Sequence, residues 1–461
     1  MPYQSPPLSE RSTRSLVFKT IDAHFDLFVA DLQNFCRIRS RRREPDQMVA
    51  AAEFVKQRLE TLGARVELIE ADASFPYVLG ELDGGPPTLL NYNHYDVEVQ
   101  PSGEDSDWIS GPYEARVRDG AVYARGVADN KAALMSRIHA VRAIQLAGMK
   151  CPVGVKFVIE GKKELHSPDL AGFFAAQGSR LSTDAVLWEN STLDRDGRPL
   201  LRLGEKGLLY VRLDVVELRG EVSSQYAPVL RSATASLVRV LSSIVGPGER
   251  CLLPGFYDGV RQAEPEEVAL MRAIPVDVVH LARRAGISPD AMGTGAELSI
   301  RLRSEPSVLI AGVTGGSVAE PYILGLAASA SATLEFRLVP GQEPSAVLAS
   351  LRECLSSQEE QGVVLTVLGS SRPARTDFDS PFVRLVARTA RDVYGLEPLL
   401  DPLAPVIGGQ GACPLEPIVG LGVGRSTANA DGPNEHVRLE DYRNSIRHVV
   451  SIILAMADGG G

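Results

Sequence analysis

The sequence predicts an open α/β sheet domain interrupted by a smaller α+β domain, and three observations carry that prediction. At 461 residues the chain exceeds the size at which a single core usually stops growing, so two domains are favoured over one. In the first half, short apolar runs bounded by polar residues alternate with helix-period segments, the pattern of buried parallel strands joined by helices. From Gly207 the pattern changes to β-α-β-β-α-β, and after Arg372 the first style returns. The first domain is therefore expected to be discontinuous, 1–207 with 373–461, around an insert at 208–372.

Each element has its own signal. Met48, Ala51, Phe54, Val55, Leu59 and Leu62 make one apolar stripe over residues 46–63, a helix stopped by Gly63, and 65–69 then reads as a strand. The apolar runs 88–91, 155–159 and 185–188 read as buried parallel strands, with a long helix over 131–147 between the first two. In the insert, strands are expected at 208–218, 297–303, 308–313, 328–338 and 363–368, with helices at 227–245 and 343–356. The return segment predicts a helix at 380–393, a Gly-rich loop at 408–411, a strand at 419–423 and a closing helix at 439–457.

Composition narrows the class. With 44% hydrophobic and 23% charged residues this is a soluble globular composition. A net charge of -10 argues against a nucleic-acid partner, and the cluster Arg37, Arg39, Arg41, Arg42 and Arg43 is too short to reverse it; it reads as a solvated loop. No apolar run approaches the ~18 residues of a membrane span, and the polar start, residues 1–15, lacks an apolar signal core, so a cytoplasmic protein with a loose amino-terminal tip is expected. Five scattered cysteines without a CxxC pair indicate neither a disulfide framework nor a structural zinc knot; Cys413, in the Gly-rich loop, reads as a small buried filler.

In open α/β sheets, chemistry gathers at the carboxyl ends of the strands. The three buried runs end in Asn93-His94-Tyr95-Asp96, in Glu160 to Glu164 and in Glu189-Asn190. His94 and Asp96, two apart, suit an imidazole oriented by a carboxylate for metal binding. Asp129 follows a Gly-containing turn just before a helix, where an N-cap role competes with a ligand role. Asp431 lies in a loop before the last helix.

The order His94-Tyr95-Asp96-Val97, Arg125-Gly126-Val127-Ala128-Asp129-Asn130-Lys131, Glu160-Gly161-Lys162-Lys163-Glu164, Glu189-Asn190 and Pro433-Asn434-Glu435-His436 resembles the co-catalytic zinc aminoacylase, dipeptidase and carboxypeptidase superfamily. Phe336-Arg337-Leu338-Val339-Pro340-Gly341-Gln342 and Gly408-Gly409-Gln410-Gly411 extend the resemblance over nearly the whole chain. It implies a metallopeptidase-like sheet domain, a lid domain used for homodimerisation, and an amino-acid-like or peptide-like substrate contacted by Arg337, Gly409 and Gly411. Carried over by position, His94, Asp129 and Glu164 match metal ligands, and Asp96 matches the carboxylate behind the imidazole. The catalytic glutamate that activates water corresponds to Lys163. Two further ligands correspond to Asn190, with the adjacent Glu189 as its alternative after a small register change, and to Asp431, and the lid histidine to Ser223.

A lysine ammonium has three donors and no acceptor, so Lys163 cannot take a proton from water while charged. Losing a general base costs about 10² to 10⁴ in rate. Zinc, manganese or magnesium, as one ion or two, remains open, as does a metal-free site in which Lys163 balances the carboxylates. The leading expectation is a diverged enzyme of non-hydrolytic or weakly hydrolytic chemistry. A non-catalytic binding or scaffold protein stands beside it, and so does a conventional hydrolase with its base relocated to Glu160, Glu189 or His166.

Overall fold

The buried runs of the first half meet at the centre of an eight-stranded sheet in a computed structural model that describes residues 8–70, 75–98, 107–165, 167–189, 191–316, 325–356, 362–406 and 408–459. Across the sheet the order is Arg65–Ile69, Tyr77–Leu82, Gly154–Glu160, Thr88–His94, Ala185–Trp188, Ile418–Gly420, Leu200–Arg202, Leu399–Asp401. Thr88–His94 runs parallel to both Gly154–Glu160 and Ala185–Trp188, and Ile418–Gly420 runs parallel to Ala185–Trp188. Four carboxyl ends therefore emerge on one side. The sheet is mixed, however, because Tyr77–Leu82 is antiparallel to both of its neighbours. The link from Arg65–Ile69 to Tyr77–Leu82 is too short for the crossover of a dozen or more residues that parallel pairing demands.

Helices Leu8–Cys36, Ala132–Leu146 and Leu439–Ala457 pack on one another and share the main apolar core with the sheet. The first of these begins at Leu8, inside the polar start; the tip expected to be loose, residues 1–7, lies outside the described residues. Val17, Ile21, Phe25, Phe28, Leu32 and Phe35, spaced three and four apart, form a stripe that buries completely or nearly so. That burial holds the helix on the core.

The chain divides into two compact units, Met1–Gly204 with Arg375–Pro402 and Gly408–Gly461, and Glu205–Ala374 with Leu403–Ile407. The short stretch Leu403–Ile407 thus joins the smaller unit, although it falls within the residues that the sequence pattern assigns to the larger domain. In the smaller unit the antiparallel order is Ser307–Gly315, Ser329–Leu338, Gly207–Val216, Val363–Ser371. Helices Ala233–Ile244 and Pro344–Ser356 share an apolar cluster with it. Residues 297–303, expected as a strand, lie instead in helix Gly295–Ser304. Their Leu-Ser-Ile-Arg-Leu alternation mimics a strand, but Thr294 and Glu297 form a reciprocal capping box that starts a helix. No helix among the described residues is long and apolar enough to cross a membrane.

Candidate functional site

His94 closes its strand with no exposed surface, in register with Glu160 on the neighbouring strand. Its Nδ1 lies 3.1 Å from Asp96 Oδ1, while the other oxygen of Asp96 accepts the Glu164 backbone N–H at 2.9 Å. Asp96 thereby fixes the imidazole and ties it to the loop carrying Glu164. The His94 Nε2 faces Asp129 Oδ1 at 3.0 Å.

Asp129 sits in the turn Val127–Lys131, ahead of helix Ala132–Leu146. It does not act as that helix's N-cap: the cap position is Lys131, with no side-chain cap bond, and the Asp129 carboxylate turns toward His94 and Lys163. The turn is pinned by Glu435, which is fully buried and accepts the backbone N–H groups of Gly126 and Ala128, both at 2.7 Å, and of Asp129 at 3.1 Å.

Lys163 opens the short turn Lys163–Leu165 beyond strand Gly154–Glu160. Its Nζ donates to Asp129 Oδ2 at 3.0 Å and to Glu164 Oε1 at 3.2 Å. Burial pushes the ammonium's pKa down, but Asp129, Glu189 and Glu164 outweigh burial and hold it well above the ordinary lysine value. Lys163 is thus a cation, not a latent neutral base. Burial likewise pushes Asp129 up, yet Lys163 and His94 hold it below the usual carboxylate range. In Glu164, Glu189 and Asp431, burial dominates and raises the pKa.

Two sets of ligand-type atoms result, each with all members within 4.8 Å of one another: His94, Asp129 and Glu189, and Asp129, Glu164 and Asp431. Asp129 belongs to both. Asn190, expected to complete the first set, lies outside the described residues; the carboxylate found beside His94 is that of Glu189, directly after Trp188. Glu189 Oε2 is 3.9 Å from His94 Nε2 and accepts from Asn130 Nδ2 at 3.3 Å. Its Oε1 is buried without a hydrogen-bond partner among the described residues.

The remaining expected positions fall elsewhere. Glu160 accepts from the Tyr92 hydroxyl and from the Ser167 hydroxyl, its pKa is pushed up by burial to about 7, and it belongs to neither set. His166 lies outside the described residues. Burial pushes the Cys413 thiol up to about 12, which suits a filler and not a nucleophile. Gly409 takes the left-handed conformation (φ 82°) at the start of the Gln410–Ala412 turn that includes Gly411, and the preceding Gly408 carbonyl accepts from the Trp188 indole at 2.9 Å. Ser223 and Arg337 belong to the smaller unit. Ser223 is exposed on a two-residue strand, and the Arg337 guanidinium donates to Glu335 and to the Pro405 carbonyl.

Sequence reasoning passed over Arg137. Fully enclosed on helix Ala132–Leu146, it donates to the carbonyls of Tyr92 (2.5 Å), Leu187 (3.1 Å) and Trp188 (2.7 Å) and to Asn93 Oδ1 (2.6 Å). It therefore clamps the ends of the strands that carry His94 and Glu189. The helix carries Ser136, Arg137, His139, Arg142 and Gln145 among its apolar residues, so nothing in its sequence singled out Arg137.

The profile of Peptidase family M20/M25/M40 matches residues 90–455. The human beta-Ala-His dipeptidase is 28% identical over 426 residues, covering 86% of this chain and 82% of that protein. The Cys-Gly metallodipeptidase dug1 of Schizosaccharomyces pombe is 26% identical over 361 residues, covering 73% and 74%. Among solved structures, the M20 family metallo-carboxypeptidase Sso-CP2 from Sulfolobus solfataricus superposes with a TM-score of 0.87 at 30% identity, covering 94% of this chain and 99% of that one. The match spans the strand ends, the Asp129 turn and the loop of Asp431, and on that basis the chain belongs to Peptidase family M20/M25/M40.

Proposed function

We propose that this chain binds small dipeptide-like or N-acyl amino-acid amides at the Asp129 site and hydrolyses them only weakly. The observation that carries this reading is the Lys163 ammonium, lodged between Asp129 and Glu164 where the superfamily resemblance calls for a proton-accepting carboxylate. The class of substrate is supported by the relatives named for beta-Ala-His and Cys-Gly dipeptides.

His94, Asp129 and Glu189 offer one imidazole nitrogen and two carboxylates, a donor set suited to zinc or manganese. A divalent ion held there supplies Lewis acidity toward an amide carbonyl. Everything else falls to the chain's own groups. Asp96 keeps the imidazole oriented, and Glu435 keeps the Asp129 turn in place. Lys163 donates hydrogen bonds and positive charge but accepts no proton, so it stabilises developing negative charge without activating water. Pairing of two copies through the smaller unit is part of the same reading, supported by exposed Leu309 and Val313 on its edge strand Ser307–Gly315.

The test is hydrolysis of beta-Ala-His and Cys-Gly by the purified chain with Zn²⁺, Mn²⁺ or Mg²⁺, beside Lys163→Glu. Turnover by the natural chain is expected about 10² to 10⁴ below that of a relative with its glutamate in place, and Lys163→Glu should recover part of the difference. Rapid hydrolysis by the natural chain overturns the proposal. A ligand-stabilisation screen in which neither peptides nor acyl amino acids shift the melting midpoint rejects the substrate class.

A further inference from the structure

We infer that Lys163 is the second cation of this centre, so that the chain holds one divalent ion, at His94, Asp129 and Glu189, in a site whose carboxylate spacing otherwise suits two. The inference shares with the proposed function the placing of an ion beside His94, but it concerns occupancy and is read without turnover.

The two oxygens of Asp129 address different partners. Oδ1 lies 3.0 Å from His94 Nε2, and Oδ2 lies 3.0 Å from Lys163 Nζ. The carboxylate thus bridges an imidazole-containing half and an ammonium-containing half. In the second half, the ammonium also reaches Glu164 at 3.2 Å, so it engages two of the three carboxylates of the Asp129, Glu164 and Asp431 set. Metal ions of this kind bind oxygen at about 2.0 to 2.2 Å. An ion coordinated by the oxygens that Lys163 already contacts would meet the ammonium at close range, and the two like charges would repel. The second set therefore does not fit an ion while Lys163 keeps its position.

The first set does fit. Asp96 occupies the Nδ1 side of His94, which leaves Nε2 facing Asp129 and Glu189. Glu189, only 4% exposed, has one oxygen on Asn130 and the other buried without a hydrogen-bond partner among the described residues. Buried carboxylate oxygens are rarely left without a partner, and a coordinated cation satisfies one. Charge points the same way: against Asp129, Glu164, Glu189 and Asp431 stands the Lys163 ammonium, and a dication at His94 offsets most of the remaining negative charge.

The test is metal analysis after saturation with Zn²⁺ or Mn²⁺ and dialysis, with circular dichroism confirming that each variant is folded. The natural chain is expected to retain about one equivalent, and Glu189→Gln to lose most of it. Lys163→Glu, and independently the uncharged Lys163→Met, should raise retention toward two equivalents, with the exchange-coupled manganese resonance of a paired site replacing an isolated-ion spectrum. Two equivalents in the natural chain overturn the inference, as does no retained ion, or an ion lost in Glu164→Gln but kept in Glu189→Gln. Slow hydrolysis with two bound ions would remove this inference and leave the proposed function standing; rapid hydrolysis with one ion would do the reverse.

Discussion

Lys163 Nζ lies 3.0 Å from Asp129 Oδ2, and the same Asp129 carboxylate touches His94 Nε2 with its other oxygen. One carboxylate therefore couples the lysine to the imidazole, and the electrostatics of the centre depend on that link. The carboxylates crowded around it hold the Lys163 ammonium's pKa well above the ordinary lysine value, against the opposing effect of burial.

Without metal, Lys163→Met should destabilise the fold. Removing one member of a substantially buried ion pair leaves the others uncompensated, at a cost of about 3 kcal/mol. Thermal unfolding in chelator should show the lowered midpoint, and added Mn²⁺ should recover more of it in this variant than in the natural chain.

Arg137→Leu removes donors from the carbonyls of Tyr92, Leu187 and Trp188 at once. The Trp188 carbonyl keeps the Leu421 N–H at 2.8 Å, but each lost bond from the charged guanidinium costs about 1 to 3 kcal/mol, so a loss of several kcal/mol is expected. Denaturant unfolding measures it. Arg137→Lys should recover little, because one ammonium cannot reach the carbonyl set that the planar guanidinium fork spans.

Glu435→Gln keeps the shape of the side chain but replaces one acceptor oxygen with an amide donor. One of the backbone N–H groups of Gly126, Ala128 or Asp129 then loses its partner. The expected result is about 1 to 3 kcal/mol of lost stability and a 10- to 100-fold weaker ion affinity, because the turn that aims Asp129 loosens. Titration calorimetry with Zn²⁺ checks the affinity.

His448, fully enclosed on the closing helix, has its Nε2 3.2 Å from the Val386 carbonyl, and burial pushes its pKa down to about 4. The unfolded chain takes up this proton near pH 6.5 and the folded chain only near 4, so stability falls as the pH drops through that interval. The contribution amounts to ~3 kcal/mol at the acid end. His448→Phe should flatten the midpoint-against-pH curve between about 6.5 and 4; an unchanged slope would assign the acid sensitivity elsewhere.

Much of the architecture was legible because it is local. The apolar runs 88–91, 155–159 and 185–188, the Gly63 stop and the closing helix at 439–457 each carry their signal within a few residues. The same reasoning failed at 297–303, where alternation suggested a strand and a two-residue capping box three positions apart decided for a helix. It also missed the Leu8–Cys36 helix, whose stripe begins after a polar start that carries no sign of structure.

The sequence by itself determined the kinds of group in the centre: that a lysine stands where a carboxylate is expected, and that His94, Asp96, Asp129, Glu164 and Asp431 come at the ends of elements. Only the tertiary structure decided what they do to one another. Parallel strand pairing brings residues far apart in the chain to the carboxyl ends of the sheet's central strands. There, a one-residue step selects Glu189 as the carboxylate facing His94, and the loops turn the Lys163 ammonium inward to Asp129 and Glu164. Such choices depend on distances of a few ångströms, which spacing along the chain does not encode.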